Sequence, residues 1–143
     1  MIRIDHSIVG GWELLSWTIT LGEKTSYPFG EQPAGRILYT SDGQMSATIA
    51  RSGRSLLSHP VPAKAPEREK LAAFDSYFSY GGAFYIDGDE VVHRVELSLN
   101  PNFVGSEQRR RMTFDGVFLT LSADEDTERG MKHHAIRWKK VGH

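Results

Sequence analysis

Cysteine is absent from this sequence, which excludes disulfides, thiolate nucleophiles, iron–sulfur clusters and Cys-rich zinc sites. An excess of one charge is absent too: 17 Lys+Arg face 18 Asp+Glu, for a formal net charge of -1. That balance argues against a chain built to coat nucleic acid or an anionic membrane, because such affinity is mostly electrostatic. No apolar run is long enough to span a bilayer. The opening Met1-Ile2-Arg3-Ile4-Asp5-His6 also lacks the apolar stretch of a signal peptide. The expected address is the cytoplasm, with neither nucleic acid nor membrane as a partner. Internal repeats and low-complexity tracts are missing, and 143 residues with 39% hydrophobic content suffice for one domain, 1–143, with a buried core.

Three Asp-Gly pairs punctuate the chain: Asp42-Gly43, Asp87-Gly88 and Asp115-Gly116. Asp and Gly tolerate positive φ, so such a pair between apolar-rich runs signals a hairpin. The flanking runs are Gly35–Thr40 and Gln44–Ala50, Gly82–Ile86 and Glu90–Leu99, and Gln108–Phe114 and Val117–Ser122. Trp12–Leu21 and His133–Lys140 bring the count to eight strands. Hairpin connections make the sheet antiparallel, and closure into an up-and-down barrel removes its exposed edges.

One segment reads differently. Glu67–Phe78 is rich in helix formers, with an apolar stripe at Leu71, Phe74 and Phe78. Pro66 suits the first turn, Glu67 and Glu69 complement the helix dipole, and Gly81-Gly82 supplies a stop. The expected architecture is all-β, an antiparallel eight-stranded barrel with one short helix between the third and fourth strands. The helix is expected to cover one opening as a mobile lid, and Phe29, Phe74, Phe78 and Phe103 are core or lid candidates.

The start Val9-Gly10-Gly11-Trp12-Glu13-Leu14-Leu15-Ser16 resembles the first strand of the calycins, in which an indole lies across the closed end of the barrel. The resemblance implies a basic residue from the last strand over that indole, here Arg137, a cation–π arrangement. More of the chain resembles the bacterial and fungal lipocalin-like domain proteins. The similarity runs in order through Tyr27–Gly35, Leu38–Ser46, Ala73–Tyr77, His93–Gly105, Gln108-Arg109-Arg110 and Leu119–Ser122. It implies a small lipocalin-like barrel but little about activity, since some members belong to biosynthetic clusters. Lipocalins and fatty-acid-binding proteins place their helices elsewhere, so their lid geometry does not transfer.

Strand alternation assigns faces. Val91, His93, Val95, Leu97 and Leu99 share one face and are expected inside. Met112 and Phe114 carry Gln108 and Arg110 inward, leaving Arg109 and Arg111 outside. Val117, Leu119 and Leu121 go in, as do Ile37 and Tyr39, and Met45, Ala47 and Ile49. Tyr85 joins them if Ala83 sets the phase; Phe84 and Ile86 argue for the opposite one. The resulting ligand-binding set is Tyr39, Met45, Tyr85, His93, Leu97, Gln108, Arg110, Met112 and Phe114.

Such an interior suits a hydrophobic or amphipathic small molecule with an anionic or carbonyl group for Arg110 to meet. Arg110 has a second reading, pairing with Glu96, Glu107 or Asp75 at the rim, because buried charges are normally paired. His93 is either a hydrogen-bonded core histidine or an acid/base catalyst. The second option defines the alternative function, an isomerase or cyclase acting on a ketone, enol or polyketide-like substrate, with Arg110 or a Tyr hydroxyl stabilising the enolate. Neither metal nor cofactor is expected. His133-His134 point to opposite sides of a strand, and no zinc-type spacing occurs. A filled barrel that forms a homodimer remains open as a third reading.

Overall fold

The computed structural model describes residues 7–142, so the hexapeptide that bears on a leader sequence lies outside them. The described residues form nine strands: β1 (Gly10–Leu21), β2 (Lys24–Ser26), β3 (Ala34–Tyr39), β4 (Gln44–Ala50), β5 (Tyr77–Asp87), β6 (Glu90–Ser98), β7 (Glu107–Asp115), β8 (Phe118–Thr127) and β9 (Gly130–Lys140). Each pairs antiparallel with its neighbour, and β9 closes on β1 from Trp12↔Lys140 to Leu21↔Lys132. Eight strands therefore form a closed antiparallel barrel. The three-residue β2 merely extends the far end of β1 through Ile19↔Ser26. Because β2 adds one to the strand count, helix α1 (Glu67–Asp75) falls between β4 and β5.

All three Asp-Gly pairs form the hairpin turns. Only the glycines take positive φ, at 91° for Gly43, 65° for Gly88 and 61° for Gly116, while no non-glycine residue among the described ones does so. The left-handed position is thus carried by the residue without a Cβ.

The helix is shorter than Glu67–Phe78. It ends at Asp75, and Tyr77 through Tyr80 pair with Ala50 through Ala47 as the start of β5. Tyr77-Phe78-Ser79-Tyr80 prefers a pleated, half-buried surface, and β4 supplies the partner. Gly81-Gly82 lies inside the strand instead of stopping a helix. Pro66 is the cap residue, and α1 buries none of its side chains; Leu71 is 61% exposed. Its fixings are peripheral: Arg54 donates to the Ala73 carbonyl at 3.0 Å, and Ser58 donates its backbone N–H to Glu69 at 2.8 Å.

Two β-bulges change which residues face inward. In β1 the register shifts between Leu14 and Ser16, so Trp12 and Leu14 face the core, Leu15 is expelled and Trp17 turns inward. In β6 the shift leaves Glu96 unpaired between Val95↔Gly82 and Leu97↔Gly81. A bulge inserts one residue and reverses the alternation beyond it. Leu97 is consequently 75% exposed on the outer face, which corrects its expected place in the lumen. Gly82 faces this bulge so closely that a Cβ there would lie 1.9 Å from the Arg94 carbonyl oxygen.

One end of the barrel is sealed by Trp12, whose indole N–H donates to the Ile8 carbonyl at 2.9 Å. The cation over that indole is Lys140, 4.7 Å from the ring centre, whereas Arg137 lies 4.6 Å over Phe118. Lys140 takes this place because it is the residue paired with Trp12 across β1 and β9. The core then runs up the barrel through Leu14, Ile37, Tyr39, Met45, Ile49, Phe84, Val91, Leu119 and Trp138. No helix among the described residues is long and apolar enough to cross a membrane.

Candidate functional site

The end opposite Trp12 holds a cavity of about 230 Å³. Its apolar walls come from Ile37 on β3, Ala47 and Ile49 on β4, Leu121 on β8, and Ile136 and Trp138 on β9. Toward the mouth, rings take over. Trp17 lies 5.3 Å from Phe29 and 6.0 Å from Phe78, which contacts Phe103 at 5.9 Å and Tyr80 at 5.6 Å. Phe103 reaches the rim from the short 3-10 turn Pro101–Phe103 that follows β6. The polar lining is His93, Tyr80, Gln108, Arg110 and His134. No residue of α1 contributes to the lining, so the rim belongs to these aromatic residues and not to the helical lid expected from the sequence. A larger cleft, about 590 Å³, lies outside the barrel between Arg51–Leu57 and α1.

His93 organises the polar wall. It is 1% exposed, and both ring nitrogens are engaged: Nε2 with the Tyr39 hydroxyl at 2.6 Å and Nδ1 with the Tyr80 hydroxyl at 2.6 Å. Burial, reinforced by the nearby positive charge of Arg110, lowers the histidine pKa to about 3. The imidazole is therefore neutral at physiological pH, one nitrogen carrying a proton and the other accepting one. Burial also pushes the Tyr80 hydroxyl up to about 12, and the Tyr39 hydroxyl well above its ordinary range, so both stay protonated.

Arg110 enters from β7. Its Nη1 donates to the Arg109 carbonyl at 2.7 Å. The ion pairs of this region belong to its neighbours: Arg109 bridges Asp87 and Glu90, Arg94 meets Glu107, and Arg111 meets Asp89. Among the described residues no carboxylate pairs with Arg110, so the rim pairing with Glu96, Glu107 or Asp75 does not form. Gln108, two residues earlier on the same face, donates to Ser106 Oγ at 3.0 Å. The indole nitrogens of Trp17 and Trp138, both lining residues, are buried without a hydrogen-bond partner.

Of the residues singled out from the sequence, His93, Gln108 and Arg110 meet at this cavity. Tyr39 stands behind His93 as its partner. Met45 is packed in the core, and Met112 packs against that core from β7. Phe114 lies at the opposite, sealed end, 6.2 Å from Trp12. Tyr85 faces outward with its hydroxyl near Glu107 and Arg109, because buried Phe84 and Ile86 set the phase of β5. Tyr80, Phe78, Trp17 and Phe103 complete the cavity without having been singled out as ligand-facing. The pattern Phe78, Tyr80, Gly82, Phe84, Ile86 is the period-2 signal that identifies the first two. His133 and His134 diverge: the former pairs outside with Asp124 at 2.7 Å, and the latter lines the mouth with Glu125 3.2 Å away.

Comparison with curated proteins gives no match. A family model described as the lipocalin-like domain matches residues 9–141, a span that takes in every strand of the barrel. With the sealed Trp12 end, the closed eight-stranded wall and the cavity above it, the chain belongs to the lipocalin-like domain family.

Proposed function

We propose that this protein binds a small amphipathic molecule in the barrel cavity, its apolar body among Trp17, Phe78 and Phe103 and its acidic or carbonyl group at Arg110. The observation that carries this reading is an unpaired guanidinium at the mouth of an aromatic-walled cavity of about 230 Å³. Arg110 is partly buried, and a ligand's anionic group would supply the counter-charge that no carboxylate among the described residues provides. A fit of this kind, apolar walls with a few convergent polar groups, is the usual form of a small-molecule site.

The isomerase or cyclase alternative draws less support. An acid/base histidine works best with a pKa near the operating pH and a nitrogen free to reach substrate. His93 has both nitrogens occupied by tyrosines and a pKa of about 3. Its place is structural, behind Tyr80.

Native mass spectrometry of gently purified protein, followed by organic extraction, tests the proposal. The expected result is one amphipathic compound, retained by the parent chain and lost from Ala47→Phe, which fills the cavity. Arg110→Leu should keep the fold and shed acidic ligands. Retention of the same adduct by a folded Ala47→Phe protein would place binding elsewhere and overturn the reading.

A further inference from the structure

The Tyr39–His93–Tyr80 chain contains three protons that hydrogen-bond along it or leave it: one on each hydroxyl and one on the neutral imidazole. Tyr39 is completely enclosed, and His93 Nε2 is its only polar partner among the described residues. If Tyr39 accepted a bond from Nε2–H, its own hydroxyl proton would be buried with nothing to receive it, a strongly unfavourable arrangement. Tyr39 is thus the donor, Nε2 the acceptor, and the imidazole proton sits on Nδ1, where it is donated to the Tyr80 oxygen. Tyr80 differs from Tyr39 in lining the cavity.

We propose that Tyr39 and His93 lock the Tyr80 hydroxyl as a hydrogen-bond donor toward the cavity, and that Tyr80 and Arg110 together select a planar aromatic ligand bearing an oxyanion, such as a carboxylate or an enolate. This rests on the cavity being a ligand site and adds the chemistry of what enters it. The class follows from the walls. Tyr80 and Arg110 are both donors, so the polar end of the ligand must accept. Rings of Trp17, Phe78 and Phe103 favour a flat aromatic body. A cavity of about 150 Å³ holds the six carbons of benzene, so the space here encloses roughly nine non-hydrogen atoms, and a larger ring system projects through the mouth. His93 and Tyr39 are positioning residues in this scheme, and Tyr80 touches the ligand.

Two measurements on the full chain test it. The first needs no ligand: nitrogen-15 NMR of histidine-labelled protein, with the His93 signals assigned by their loss in His93→Gln. The Nδ1–H tautomer is expected, and an Nε2–H tautomer would overturn the lock. The second titrates 2-naphthoate and the neutral 2-naphthylmethanol, following tryptophan fluorescence. Naphthoate should bind at least ten-fold more tightly. Tyr80→Phe should cut naphthoate affinity about ten-fold while leaving the carbinol within two-fold, and Tyr39→Phe should lower the ratio of the two affinities. Equal naphthoate binding by Tyr80→Phe and the parent chain would overturn the role of Tyr80 and leave the ligand site standing. Failure of both naphthyl compounds to bind would overturn the ligand class, whereas the copurified adduct decides the cavity reading separately.

Discussion

Acidification from pH 7 to pH 5 should remove about 2 kcal/mol of stability through His93 alone. The folded-state pKa of this histidine is about 3, and burial is the main cause. In the unfolded chain it returns to about 6.5. Between these values the unfolded state binds a proton that the folded state does not, so stability falls as pH falls. The contribution is fully present above about pH 6.5 and is lost progressively toward about pH 3. The slope is about 1.4 kcal/mol per pH unit, and pH 5 lies one and a half units below the unfolded value. Carboxylates and the remaining histidines titrate in the same range, so the parent chain must be compared with His93→Gln. The glutamine amide offers one donor end and one acceptor end to the two tyrosines but carries no titratable proton. Urea unfolding at pH 7, 6 and 5 gives the free energy of each protein, and their difference should shrink by about 2 kcal/mol across the series. A difference that stays flat would refute the buried neutral imidazole. One that grows on acidification would mean that folding favours the protonated form.

Gly82→Ala should cost about 3 kcal/mol or more, or abolish soluble expression, because the new Cβ would meet the Arg94 carbonyl oxygen at 1.9 Å and the Glu96 nitrogen at 3.0 Å, both rigid backbone of β6. A melting temperature close to that of the parent would show that the β6 bulge can move aside. Trp12→Phe should cost about 2 kcal/mol by urea unfolding, since it removes indole volume from the sealed end and strands the Ile8 carbonyl. The cavity lies at the other end, so 2-naphthoate affinity should not change, and a change would show that the two ends are coupled.

What the sequence reveals of this barrel, and what it hides, divides at the bulges. Hairpins were legible because each Asp-Gly turn is a local event, decided by one glycine at positive φ. Inward faces were legible wherever a strand kept its period, which is why His93, Gln108 and Arg110 are found together at one cavity. Alternation fails where an inserted residue is stabilised by pairing with a distant strand, and nothing in the local sequence marks that choice. Trp17 escaped notice because the bulge after Leu14 reverses β1, and Tyr80 because Gly81-Gly82 reads as a helix stop until β4 and β6 are beside it.

The bulge in β6 does more than move a side chain. With strict alternation from Val95↔Gly82, Glu96 would pair with Gly81 and Leu97 would sit inward beside Tyr80. The extra residue sends Leu97 outside and brings Ser98 opposite Tyr80 instead. A short side chain replaces a bulky apolar one beside the residue that meets Nδ1 of His93. The carbonyl of Arg94 turns toward β5 at the same step, which only a glycine at position 82 tolerates. The outward place of Leu97 and the requirement for Gly82 are therefore two consequences of one unpaired residue, Glu96. Which side chains face the lumen is set here by backbone register as much as by the alternation of the sequence.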